Sequence, residues 1–299
     1  MIETKQKIEQ ELVDKYVRRL DERKHPIKPF SELNLIDDFM FNIATMDLEL
    51  CKDIVELSLN IKIREIRWKE GQKVIYNIPG KRGIRLDFYI VDENGKVYDV
   101  EMQASNKGNI PKRTRYYKAL LDSPMLKSGE EGFDALPVTY VIFICGFDLF
   151  GYGKYRYTFE NRCREVPELV LPDELHTVIL NTRGTNETEV ESSLVDFLKF
   201  VENSSQKPEN NPEDRRIRRI YEKVSVLKGR IELEAEYMKM EDRDRMIHRD
   251  GEEMGERNKL CSIIVKKLNK GKSIEEIADA VEEEVSVVEE IISELIQER

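Results

Sequence analysis

The sequence predicts an α/β fold, and three observations carry that reading. Two strand-like runs, Ile84 to Val91 and Lys96 to Gln103, are joined by Glu93-Asn94-Gly95, and Asn-Gly between such runs is the strongest short hairpin signal. Val138 to Cys145 is a continuous β-branched and aromatic run, the pattern of a strand buried on both faces. Helical spacing appears before and after these runs, so helices and strands alternate as in a layered α/β domain.

The first helix is expected to start at Ser31 as N-cap. Leu35, Phe39, Ile43 and Met46 then repeat at helical spacing, with Leu50, Ile54 and Leu57 continuing after a break at Asp47. Strands are expected around Ile63 to Trp68 and Lys73 to Ile78, ahead of the hairpin, and a helix from about Ile110 to Leu121 follows it. Three parts result: an N-terminal charged helix and linker over 1–30, a domain over 31–204 and a charged helical region over 205–299.

Composition narrows the function classes. Charged residues make up 36% of the chain and hydrophobic residues 40%, which points to much exposed helix. The formal net charge is -10, so the molecule as a whole does not attract nucleic acid, and such contact must come from a local basic patch or bridging cations. Cys51, Cys145, Cys163 and Cys261 form no C-x-x-C pair, which suits free thiols in a cytoplasmic setting. Met1 to Arg23 is charged throughout, unlike a secretory signal, and the longest apolar run, Val138 to Phe147, is about half the length of a membrane span. His25, His176 and His248 are isolated, which argues against histidine-driven catalysis, and Gly271-Lys272-Ser273 lacks the first glycine and the preceding strand of a phosphate-binding loop.

The chemistry concentrates on the hairpin. Side chains alternate along a strand, so Asp99, Glu101 and Gln103 share one face of the second run while Tyr98, Val100 and Met102 share the other. Asp87 lies opposite the apolar face of Ile84, Leu86, Phe88 and Ile90. Two carboxylates aimed at one spot make an oxygen site that suits magnesium or manganese. Register decides whether they meet. A two-residue Asn94-Gly95 turn sets Asp87 opposite Met102, facing away from Glu101. A three-residue loop, closed by Asp92 and Lys96 with Gly95 at positive φ, sets Asp87 opposite Glu101.

Asp87, then Glu101-x-Gln103 on the second strand of a hairpin, resembles the PD-(D/E)XK nuclease motif. With Val100-Glu101-Met102-Gln103, Arg115-Tyr116-Tyr117, Asp38-Phe39-Met40-Phe41 and Leu180-Asn181-Thr182-Arg183-Gly184, the chain resembles the Rpn family of recombination-promoting nucleases and putative transposases over roughly 31–200. The resemblance implies a restriction-endonuclease-like core, a mixed sheet flanked by helices, with a helical C-terminal region. It also implies a DNA endonuclease linked to recombination or mobile DNA and dependent on Mg2+ (or Mn2+/Ca2+). Asp87, Glu101, Gln103 and Asp38 are the implied catalytic residues, and Asp87, Glu101 and the Met102 carbonyl the implied metal ligands; Asp37 is the alternative to Asp38 while the helix phase is open. Gln103 stands where the wider superfamily has lysine, and an amide can orient a water or a phosphate but cannot act as a base.

The helix after the motif carries Lys112, Arg113, Arg115 and Lys118, preceded by Lys107 and interleaved with Tyr116 and Tyr117. It reads equally as a phosphate-contacting face, with Arg115 the best contact ahead of Lys112 and Lys118, or as a solvated helix packed by its tyrosines. The C-terminal region ends in a helix-turn-helix-like pair capped by Ser273 and Ser286. Its second helix carries Glu289, Glu290 and Glu294 and no basic residue, which suits packing or homo-oligomerisation better than a DNA groove. The rival to an endonuclease is a non-catalytic nuclease-fold protein that acts as a binding or regulatory module through those helices.

Overall fold

The structure is a computed structural model, and it describes residues 28–71, 74–75, 84–126, 129, 132–204 and 214–297. The expected N-terminal helix and most of the expected 73–78 strand lie outside these residues. The chain divides into two compact units, one reaching Glu234 and one running Ala235–Arg299.

The first unit is built on a six-stranded sheet. Its strands are β1 (Ile66–Gly71), β4 (Phe88–Asp92), β5 (Val97–Gln103), β6 (Thr139–Cys145), β7 (Arg156–Phe159) and β8 (Leu175–Asn181), in the order β1-β4-β5-β6-β8-β7. A separate antiparallel pair is formed by β2 (Val74–Ile75) and β3 (Ile84–Arg85). The sheet is mixed: β5 and β8 run parallel to the central β6, while β1-β4, β4-β5 and β7-β8 are antiparallel. The expected strand 84–91 is therefore two pieces, β3 and β4, with a bend at Leu86 and Asp87.

Helix α1 (Asp38–Ala44) starts seven residues after Ser31, which instead lies in a short 3-10 turn, Phe30–Glu32. Asp37 fixes the approach to α1: its carboxylate accepts the Asn34 N–H at 2.6 Å and the Lys28 ammonium at 2.5 Å. The break at Asp47 is real, and Asp47 caps α2 (Leu48–Leu59) by accepting the Leu50 N–H at 3.1 Å. After the hairpin comes α3 (Ile110–Asp122), with Pro111 in its first turn. Then follow α4 (Ser192–Glu202) and α5 (Arg215–Lys228), whose N-cap is Asp214.

Helices cover both faces of the sheet. On one face, Ile110, Tyr117 and Leu121 of α3 pack on Tyr89, Val141, Phe143, Cys145 and Ile179. The other face meets the layer formed by α1, α2, α4 and α5; Phe41 of α1 lies against Phe88 at 5.9 Å. Helix α5 belongs to this unit, so the boundary expected at 204/205 falls inside it. Ile217, Ile220 and Val224 are buried, Arg219 reaches Asp53 and Glu49 at 3.1 and 2.7 Å, and Arg216 reaches Glu56 at 3.6 Å.

The charged helical region is interrupted at Gly229. A second helix, α6 (Ile231–Leu268), begins just after it. In the second unit Ile264 packs with Ile277, Ala278, Val288 and Ile291 of α7 (Ile274–Val281) and α8 (Val285–Gln297). Ser273 caps α7 in a reciprocal box with Glu276. Ser286 does not cap α8, which already starts at Val285. Among the described residues no helix is long and apolar enough to cross a membrane, and all four cysteines are free thiols.

Candidate active site

The β4-β5 hairpin sets the geometry. Phe88 pairs with Val100, Tyr89 with Asp99, Ile90 with Tyr98 and Val91 with Val97, a register that brings Asp87 opposite Glu101. The loop is the three-residue one. The Asp92 N–H donates to the Lys96 carbonyl at 3.0 Å, the Gly95 N–H donates to the Asp92 carbonyl at 3.1 Å, and Gly95 has φ +80°. The Asp92 side chain reinforces it by accepting the N–H groups of Asn94 and Lys96 and the Tyr98 hydroxyl. A Cβ at Gly95 would meet nothing within 4 Å, so a substitution there is opposed by backbone strain alone. Gly95→Ala should therefore cost about 1–2 kcal/mol, the usual penalty for a left-handed residue with a side chain. A denaturant midpoint unchanged from wild type would contradict this register.

Asp87 and Glu101 clasp one another through the backbone. The Asp87 N–H donates to Glu101 Oε1 at 3.0 Å, and the Met102 N–H donates to Asp87 Oδ2 at 2.8 Å. The bend at Asp87 takes that residue out of the β4 ladder, and its backbone N–H is satisfied by the Glu101 side chain instead. One oxygen of each carboxyl group is thereby fixed by a main-chain donor. Gln103 pairs with Cys145 on β6, and its amide donates to the Ser105 carbonyl at 2.9 Å.

The strand face bearing these groups is polar in sequence. It is buried: Asp99 is 0%, Glu101 4% and Gln103 8% exposed. Helix α3 covers it, and Arg113 of that helix supplies the cation. Arg113 Nη2 lies 3.7 Å from Glu101 Oε2, and the guanidinium sits over the rings of Phe143 and Tyr117, at 4.7 and 5.6 Å from their centroids.

Electrostatics follow from three carboxyl groups under one guanidinium. Burial pushes Asp87 up to about 6, against the lowering effect of the Met102 N–H, and the nearby Asp38 charge adds to the rise. Burial, then the neighbouring Asp99 and Asp87 charges, holds Glu101 well above the usual carboxylate range, and burial does the same to Asp99.

Asp38 lies exposed in the first turn of α1, close enough for its charge to be felt at Asp87. Its own carboxyl is raised, first by partial burial, against the opposing charge of Lys107. Asp37, the alternative, is occupied in the turn before α1. Lys112 and Arg115 are exposed on α3, away from the sheet-facing stripe of Ile110, Thr114, Tyr117 and Leu121. Lys118 is half-buried, and the acidic charges around it are Asp173 and Asp122. Among the described residues, Arg113 is the basic residue of this helix paired with a motif carboxylate, while Arg115, expected as a phosphate contact, lies exposed. The signal was available: Arg113 stands four residues before Tyr117, so an i, i+4 phase places it at the edge of the buried stripe.

Two carboxylates, a strand carbonyl and water form an all-oxygen donor set, and magnesium is commonly held by one or two carboxylates with water and substrate phosphate completing the shell. The pair fits that requirement. Among the described residues no group of three or more His, Cys, Asp or Glu side chains is gathered as a ready cage for an ion. A family model described as PD-(D/E)XK nuclease family transposase matches residues 48–256. No curated protein and no solved structure matches the chain.

Proposed function

We propose a function from one premise: the chain belongs to the PD-(D/E)XK nuclease family transposases. The reaction we assign is metal-dependent hydrolysis of DNA phosphodiester bonds by an endonuclease linked to recombination or mobile DNA. The observation that carries this reading is the reciprocal seat of Asp87 and Glu101, two carboxyl groups held opposite each other by main-chain donors at 2.8 and 3.0 Å.

In this reading Asp87, Glu101 and the Met102 carbonyl hold Mg2+ or Mn2+. The metal, when bound, polarises the attacked phosphate and lowers the pKa of a bound water. The other residues have separate tasks. Asp38 adds a carboxylate at the rim. Gln103 turns its amide from Ser105 to orient the water or the scissile phosphate, a role that needs no proton transfer. Arg113 pairs with Glu101 from α3 in the metal-free protein. Lys112 and Arg115, exposed on that helix, are available to flanking phosphates, which a chain of net charge -10 needs locally. The free thiols fit a reducing cytoplasmic setting, and the C-terminal unit is the surface we assign to self-association.

Nicking of supercoiled plasmid tests the function. Cleavage is expected with Mg2+ or Mn2+ and none with chelator. A folded protein that leaves the plasmid intact with Mg2+, Mn2+ and Ca2+ alike returns the function to a non-catalytic binding module. Within the same assay Gln103→Lys should cleave within about tenfold of wild type, a change of ~1.4 kcal/mol in barrier, with an altered preference between Mg2+ and Mn2+. Complete loss of cleavage in a Gln103→Lys protein that still binds metal would assign the amide a role that lysine cannot fill.

A further inference from the structure

Asp99 is the group that the reaction above does not use. It lies on β5 two residues before Glu101, on the same face, paired with Tyr89 on one side and Val141 on the other. Its side chain is fully buried, and among the described residues neither carboxyl oxygen has a hydrogen-bond partner. A buried polar group without a partner costs roughly 1–3 kcal/mol, and more for a charged one, so its place under α3 calls for a second arrangement in which it is paired.

A donor that lacks an acceptor is in the same layer. Among the described residues, Arg113 Nε is buried without a hydrogen-bond partner. Its ion pair with Glu101, at 3.7 Å, is longer than a hydrogen bond. A guanidinium carries five N–H donors in a planar fork. Same-face neighbours on a strand are roughly 6.5–7 Å apart, a distance that a long arginine side chain spans by rotating its end while its plane stays over the rings of Phe143 and Tyr117, which fix no hydrogen-bond direction.

We propose that Arg113 is shared between two carboxylates, and that Asp99 is the positioning residue that takes its guanidinium when Glu101 takes a divalent cation. The inference rests on the metal-binding reading of Asp87 and Glu101. A metal ion and a guanidinium compete for the same Glu101 oxygens, so loading is favoured when the guanidinium has another anion to move to. Asp99 supplies that anion inside the protein. Its burial keeps it from solvent, and its lack of other donors leaves it free for Arg113. The arrangement sets metal affinity without placing Asp99 in contact with the metal or the DNA.

The test is a double-variant cycle read by Mn2+ affinity, measured calorimetrically on the full chain without DNA. Asp99→Asn should weaken Mn2+ binding by about tenfold or more, the scale of groups that orient a metal ligand. In an Arg113→Gln background the same Asp99→Asn change should leave affinity unaltered, because no guanidinium remains to be drawn from Glu101. An equal loss in both backgrounds would mean that Asp99 acts through space as a simple charge and would overturn the proposal. So would an unchanged affinity in the single Asp99→Asn protein. If Arg113→Gln does not fold, the arginine side-chain Nε–H resonance of Arg113 in the wild-type protein decides. It should shift on adding Mg2+ in wild type and stay fixed in Asp99→Asn, and a shift of equal size in both overturns the proposal. Failure of the wild-type protein to bind Mn2+ or Mg2+ at all would remove the metal reading itself and this inference with it, an outcome distinct from the others.

Discussion

Asp87→Asn is expected to abolish plasmid cleavage and, at pH 8 without metal, to raise the unfolding temperature. The two effects share one cause. A carboxyl group pushed up to about 6 by burial is ionised at pH 8 at a cost, because the folded protein solvates that charge worse than water does. A shift of that size corresponds to at most about 3 kcal/mol, and screening through the remaining solvent contact reduces it to roughly 1–2 kcal/mol. The asparagine carbonyl still accepts the Met102 N–H, so the change removes the charge and keeps the bond. At roughly 2–4 °C per kcal/mol for a unit of this size, a gain of several degrees follows. The cost falls on activity: losing the charge proposed to hold the ion should forfeit several kcal/mol of transition-state stabilisation, about 10²–10⁴-fold in rate. Thermal melts and nicking rates on one preparation measure both. A variant that cuts at the wild-type rate, or that melts lower than wild type at pH 8, contradicts the assignment.

The hairpin and the strand after it were legible because their signals are local. Asn94-Gly95 marks the turn, and alternation along 97–103 assigns each side chain a face. The unbroken apolar run from Val138 announces the doubly covered β6. The loop length was not local. Both turns suit Asn-Gly, and only the demand that Asp87 and Glu101 meet selects the three-residue form, which the pairing register and the Asp92–Lys96 closure then bear out. What stayed hidden depends on packing. Nothing in 84–91 announces a bend at Asp87, since its apolar alternation runs straight through. The burial of Asp99 and Glu101 comes from α3 closing over a face that looks solvated on polarity alone. The edge strand Arg156–Phe159 is only four residues long, too short for alternation to mark it in the sequence. Ser31 and Ser286 are good capping residues that the observed helix starts leave unused.

The metal-free protein should lose stability as pH rises from about 4 toward 8, and a divalent cation should restore it. The sign follows from the raised carboxyl groups. Unfolded, aspartate and glutamate release their protons near pH ~4. Folded, Asp87 keeps its proton until about 6, and burial holds Glu101 and Asp99 well above the usual carboxylate range. Between those limits the folded state binds more protons than the unfolded one, so stability declines with rising pH. Carboxylates with lowered values, among them Asp47, Asp148 and Asp214, act in the opposite direction, but their contribution is complete above pH ~4 and is lost only below it. Asp53, raised to about 6 by burial beside α5, adds a decline of the same sign from outside the site. The site's share is therefore read as the difference between wild type and Asp87→Asn, which should widen from pH 5 to pH 8. Mn2+ replaces protons on the site, so it should raise the melting temperature more at pH 8 than at pH 5, release protons into a weakly buffered solution, and do neither in Asp87→Asn. A wild-type melting temperature that climbs from pH 5 to 8 without metal, with the difference to the variant constant, would show that these carboxyl groups are not strained by their burial.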